Sequence, residues 1–192
     1  MKSIFIRILN LVRTPQEEWN AIVTDSPDVD SVRRSFFFPF LKFVTGAILF
    51  ICILKFTWTG SSFPQFLGYS AIQFFVVFSS LFAGVYGSVL ILNQLLAIRY
   101  FSGVEKNFYK CFSLVVYPSS ILWIITLLRM MIDALFFIEI LDLYVAYVIW
   151  CGLTTLYPKL EDNKKGVLSI VILVLLFVCP TLVEKLLIHL MN

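Results

Sequence analysis

Residues 66–100, FLGYSAIQFFVVFSSLFAGVYGSVLILNQLLAIRY, hold a single charged side chain, Arg99, at the very end of the run. As a helix this stretch is about 50 Å long, against a bilayer hydrocarbon core of about 30 Å. It therefore crosses a membrane with tilt, kink or overhang. Four further stretches, near 36–54, 112–128, 140–157 and 167–188, approach or exceed the roughly 18 residues that a crossing needs. The whole chain is 60% hydrophobic and 14% charged with a mean hydropathy of +0.92. Soluble domains run nearer about 45–50% apolar and about 25% charged. The fold class is all-α: a polytopic bundle of about five transmembrane helices.

The spans carry marks that bear on how they pack. Pro39 falls in the opening turn of the first, and Lys42 is close enough to the boundary to snorkel toward Arg33 and Arg34. In the second, Ser80, Gly84 and Ser88 recur every four residues, with Gly87 beside them. Such a seam lets another helix approach closely. Packing within the chain is the first reading, and a homo-oligomer interface is the alternative. Pro118 lies well inside the third span and Pro180 in the second half of the fifth, and the lost amide donor at Pro118 predicts a kink or local break.

Ahead of the spans, residues 1–34 read as a cytosolic or interfacial region and 35–192 as one transmembrane domain. Residues Ile4 to Val12 are apolar apart from Arg7 and Asn10, which with Arg13 recur at helical spacing and give an amphipathic interfacial helix. Arg7 and Arg13 interrupt the run, so a cleaved signal peptide is not expected. Thr14, Pro15 and Glu17 form a helix-start pattern, after which Trp19 and Ile22 share a face. The polar run from Thr24 to Arg34 reads as a loop ending at the membrane entrance.

The basic residues set the expected orientation. With the N-terminus inside, one side carries Lys2, Arg7, Arg13, Arg33, Arg34, Arg99, Lys106, Lys110, Lys159, Lys164 and Lys165, and the other only Lys55, Arg129 and Lys185. That asymmetry places the N-terminus in the cytoplasm and, after five spans, the C-terminus across the membrane. A net charge of +3 gives no support to nucleic-acid binding.

Sequence signatures of chemistry are sparse. Cys52, Cys111, Cys151 and Cys179 lie in or beside four different apolar segments without paired spacing, which reads as buried free thiols. His189 has neither a His/Cys cluster nor a carboxylate-rich helix beside it, and no nucleotide, zinc-protease or serine-hydrolase motif occurs. No catalytic residue, metal site or cofactor is expected. Polar groups at membrane depth are the remaining clue, since hydrocarbon penalises them unless they face protein or water. They are Gln73, Asn93, Gln94, Asp133, Glu139 and Asp142. Asn93, Gln94 and Asp142 are candidates to line a polar path, and Asp142 also has Arg129 as a candidate ion-pair partner. Trp58, Tyr69, Tyr100, Tyr109, Trp150 and Tyr157 suit the aromatic belt at the headgroups.

The pattern Pro15-x-x-x-Trp19-x-x-Ile22, the basic entrance, the five closely linked spans and the aromatic-plus-proline segment from Phe112 to Tyr117-Pro118 resemble the Yip family of Ypt- or Rab-interacting proteins. The likeness is to its branch of small bacterial inner-membrane proteins. The Asp-Leu-Tyr-Gly-Pro element of eukaryotic members is missing, and Tyr117-Pro118 is the one match carried over. The resemblance implies a multi-pass adaptor or organiser of membranes without an assigned reaction. Membrane lipids and proteins meeting the cytosolic N-terminal region are the expected partners. The rival reading is a small transporter or lipid-moving protein with a polar path near the Pro118 break, and a membrane-embedded enzyme ranks third.

Overall fold

The computed structural model describes residues 4–25, 28–59, 63–98, 101, 106–132, 138 and 140–191, which are helix and short turns throughout. Helix α1 (Ile4–Arg13) and helix α2 (Pro15–Asp25) are separated by Thr14, whose amide donates to the Asn10 carbonyl while its own carbonyl accepts from Glu18. A short helix α3 (Val29–Val32) passes through a π-helical turn, Arg33–Phe37, into α4 (Phe38–Thr59). Then follow α5 (Phe63–Leu95), α6 (Phe108–Met131), α7 (Ile140–Leu156) and α8 (Asp162–Met191).

The first membrane helix begins earlier than its apolar run. Asp28 accepts a 2.7 Å hydrogen bond from the Ser31 amide and so caps α3, drawing Asp30 to Arg34 out of the expected loop and into helix. Arg33 is then held at the membrane entrance, its guanidinium carbon 5.4 Å from the Tyr86 ring centre and 5.6 Å from that of Phe112. Phe37, one turn deeper, meets Phe82, Tyr86 and Phe112. Aromatic packing thus joins the π-helical turn ahead of α4 to α5 and α6 just below the basic rim.

Among the described residues, four helical stretches are long and apolar enough to cross a bilayer: Val29–Leu54, Leu67–Leu95, Phe108–Met131 and Asp162–Leu190. The remaining apolar helix, α7, has 17 residues, about 25 Å, at the short end of the range for a crossing. It runs antiparallel to α6. The Lys110 ammonium lies 4.9 Å from the Tyr157 ring centre at one end, and Leu114 packs against Gly152 farther in. Tyr157 is therefore buried in the bundle and takes no part in an outer aromatic belt. The side chain of Trp58, and Arg99, Tyr100, Asp133 and Glu139 altogether, lie outside the described residues.

Helix α6 is the axis of the bundle: every residue from Cys111 to Leu122 is buried, Ser113, Ser119 and Ser120 included. It is continuous through Pro118, where the sequence alone suggests a kink or a break. The Ser119 and Ser120 hydroxyls donate to the Val116 and Tyr117 carbonyls beside it. By contrast α8 turns Ile170, Leu182, Leu186 and Leu190 outward, each at least 60% exposed. An apolar face of that extent has lipid as its solvent.

Candidate functional site

The N-terminal helices do not stand apart from the bundle. Ile8, Leu11, Trp19 and Ile22 belong to the same hydrophobic cluster as the membrane helices. Trp19, fully buried, enters between α6 and α7, where its indole Nε1 donates to the Val148 carbonyl at 2.9 Å. Its ring meets that of Tyr117 edge-on at 5.7 Å, and the Phe36 ring also meets Tyr117, at 4.5 Å. Gly152 makes the entry possible: a β-carbon there would lie 2.6 Å from two indole carbons and 2.9 Å from Leu114. Two peripheral bonds complete the seat, Gln16 to Thr155 Oγ1 at 2.9 Å and Tyr144 to the Val12 carbonyl at 2.8 Å.

Two residues of the polar stripe of α1, Arg7 and Asn10, face α2, while Arg13 is exposed. Arg7 donates to Asp25 at 2.7 Å and lies 3.5 Å from Glu18, while Asn10 donates to Glu18 at 2.9 Å. The guanidinium is thereby shared between two carboxylates of α2. The opposite face of α1 presents Phe5, Ile6 and Leu9, about half exposed, and Phe5 meets Phe43 of α4 edge-on at 4.8 Å. The hairpin thus turns an apolar face along the lipid-facing side of α4, while Glu17, Asn20, Val23 and Thr24 of α2 remain exposed. Outside the membrane, the Ser31 amide holds the Asp28 carboxyl below its ordinary value.

The residues of the four-residue spacing meet α8. At Gly84 a β-carbon would lie 2.8 to 3.0 Å from Pro180, including its backbone. Ser88 shares its hydroxyl between its own helix, at the Gly84 carbonyl, and the Leu175 carbonyl of α8 at 3.1 Å. Ser80 is buried on the same face. The candidate polar-path residues lie at different ends of the bundle: Asn93 and Gln94 in the last turn of α5, and Asp142 in the first turn of α7. Gln94 edges a shallow apolar depression with Leu90, Ile91 and Ile98. Tyr117 is in the Trp19 seat, with Pro118 next to it. His189 is exposed in the last turns of α8, and no group of three or more His, Cys, Asp or Glu side chains suited to a metal occurs among the described residues.

Sequence reasoning missed the Gly152 seat and the Arg7, Glu18 and Asp25 cluster. The seven-residue spacing of Glu18 and Asp25 puts both on one face of α2 and is the signal that could have pointed to a buried cation. A family model described as Yip1 domain matches residues 9–183, from α1 to the far half of α8. No curated protein and no solved structure matches the chain.

Proposed function

We propose, from the premise that this chain belongs to the Yip1 domain family, that it is a non-enzymatic adaptor or organiser within a membrane. The observation that carries this reading is the seating of Trp19. It ties α2 to the bundle axis and holds the edge formed by Glu17, Asn20 and Thr24 in a fixed orientation. A fixed polar edge on a lipid-embedded base suits recognition of a protein at the membrane surface, because little ordering remains to be done on binding. The basic-residue asymmetry supports a cytoplasmic location for this edge and the opposite side for the C-terminus. Lipids cover the apolar faces of α5 and α8.

Photo-crosslinking in native membranes tests the adaptor reading. A photoreactive residue at Asn20 is expected to give discrete protein adducts, while one at Leu182 gives lipid adducts. Equal patterns at the two positions would sink the proposal. For orientation, Glu161→Cys and His189→Cys in a background without the native cysteines should react with impermeant maleimide from opposite sides of sealed vesicles. Labelling from the same side would overturn the five-pass topology.

A further inference from the structure

At the end of the bundle remote from the basic rim, a cavity of about 170 Å³ opens between α5, α6 and α8. Its floor holds Ser80 and Leu176, both buried, and its mouth holds Thr181 and Glu184, both exposed. Glu184 stands 22 residues beyond Asp162 in one helix, about 33 Å along the axis, so the mouth belongs to the leaflet opposite the Lys164 and Lys165 end. Trp123 and Phe177 supply aromatic wall.

Apart from the Trp123 indole N–H and the Ser80 hydroxyl, the polar side-chain atoms lining this space are acceptors. Thr126 donates its hydroxyl proton to the Leu122 carbonyl at 2.9 Å, and Thr181 donates to Phe177 at 2.7 Å. What either threonine offers a ligand is therefore an oxygen lone pair. Pro180 has no amide proton for the Leu176 carbonyl one turn earlier, so that acceptor lacks its helical donor. Glu184 contributes a carboxylate. Ser80, only 3% exposed, has no hydrogen-bond partner for its Oγ among the described residues. A buried hydroxyl in that state calls for a ligand or ordered water.

We propose that this cavity binds a primary ammonium group, carried by a lipid headgroup or by a small free amine. An ammonium brings three N–H donors and a positive charge to a site that offers acceptors, a carboxylate and aromatic faces. An anionic group would meet Glu184 with no cation among the described residues that line the wall. A quaternary ammonium has the charge but lacks the N–H donors. The volume is close to the roughly 150 Å³ of a cavity that admits benzene, which leaves room for an aminoethyl group but not for a whole lipid. Acyl chains would lie outside, against the lipid face of α8. This inference is independent of the adaptor reading, since it concerns the opposite end of the molecule.

The test uses the purified full chain in detergent, titrated with phosphatidylethanolamine, phosphatidylcholine and phosphatidylglycerol of identical acyl chains, with bound lipid read by native mass spectrometry. Phosphatidylethanolamine should bind about tenfold tighter than either of the others, the scale of a charged hydrogen bond. Glu184→Gln and Ser80→Ala should each weaken that binding about fivefold or more without changing the melting temperature or the binding of the other two lipids. Competition by free ethanolamine would assign the site to small amines, and its failure to compete would assign it to the headgroup. Equal binding of phosphatidylethanolamine and phosphatidylcholine overturns the proposal. So does unchanged phosphatidylethanolamine affinity in a folded Glu184→Gln protein, which would leave water as the occupant.

Discussion

The benzo edge of Trp19 occupies the space in which a side chain at residue 152 would begin. Two of its ring carbons lie 2.6 Å from the position of a β-carbon at Gly152. The contact joins the N-terminal hairpin to the middle of α7, more than a hundred residues away in sequence, while the same indole donates to Val148. A tryptophan so placed removes about 150–250 Å² of surface from solvent or lipid. Its loss affects three helices together, because Tyr117 of α6 lines the same pocket.

Trp19→Ala is expected to destabilise the protein by about 3–5 kcal/mol, the range for removing a large buried aromatic. Gly152→Ala should cost about 1–3 kcal/mol through overpacking, since the new methyl meets both Trp19 and Leu114. The two changes should not add. With Trp19 already removed, most of the clash at residue 152 is gone. Equilibrium unfolding of the single and double variants in one detergent measures the coupling, and strict additivity would refute this account of the seat.

Gly84 and Gly87 are three residues apart on α5 but differ in what surrounds them. A β-carbon at Gly84 meets the backbone of Pro180, which cannot move without shifting α8, whereas none of the described atoms lies within 4 Å of one at Gly87. Gly84→Ala should therefore destabilise by about 1–3 kcal/mol. Gly87→Ala should be neutral, or stabilising by up to about 1 kcal/mol through helix propensity. Thermal melts of the two purified variants decide it. Similar melting temperatures would mean that the α5 and α8 contact is looser than these distances indicate.

The membrane helices are legible because hydrocarbon imposes a simple rule, a sustained apolar run of sufficient length, and Leu67–Leu95 or Asp162–Leu190 obey it in isolation. The first turns of the helix that becomes α4 do not, since Asp30, Ser31 and Arg33 carry no apolar signal. Only the capping geometry of Asp28 explains the start at Val29. The seat of Trp19 was illegible for a different reason: a glycine in an apolar helix announces close approach without naming what approaches. Arg7 shows the same limit. A polar stripe on an apolar helix has two physical solutions, facing water or facing carboxylates of a neighbouring helix, and the choice depends on where Glu18 and Asp25 sit in three dimensions.

Because Arg7 and Glu18 are both nearly inaccessible, with side chains 8% and 2% exposed, removing one partner is worse than removing both. Arg7→Met removes the guanidinium from beside the buried Glu18 carboxylate and should cost about 3–5 kcal/mol. The Arg7→Met, Glu18→Met double variant should regain most of that loss, because an apolar pair of similar volume replaces a desolvated ion pair. Hydrogen exchange over α1 and equilibrium unfolding provide two readouts. A double variant as unstable as Arg7→Met would show that Asp25 and Asn10, and not the Glu18 pairing, hold the hairpin closed.

Asp28 gives the fold a pH dependence whose sign follows from its geometry. Its carboxylate accepts the Ser31 amide at the start of α3, and this lowers its pKa in the folded chain below the ordinary 3.8. A group depressed by folding contributes stability above its unfolded value and loses that contribution as pH falls through the lower folded value. Capping of α3 should therefore persist down to pH 3.8 and fade below it. A ¹³C-labelled carboxyl followed by NMR in micelles should titrate with a midpoint under 3.8 in the native protein. Asp28→Ser, which supplies an uncharged cap, should keep α3 helical and remove its acid dependence. A native midpoint at or above the ordinary value would mean that the Ser31 bond does not persist in solution.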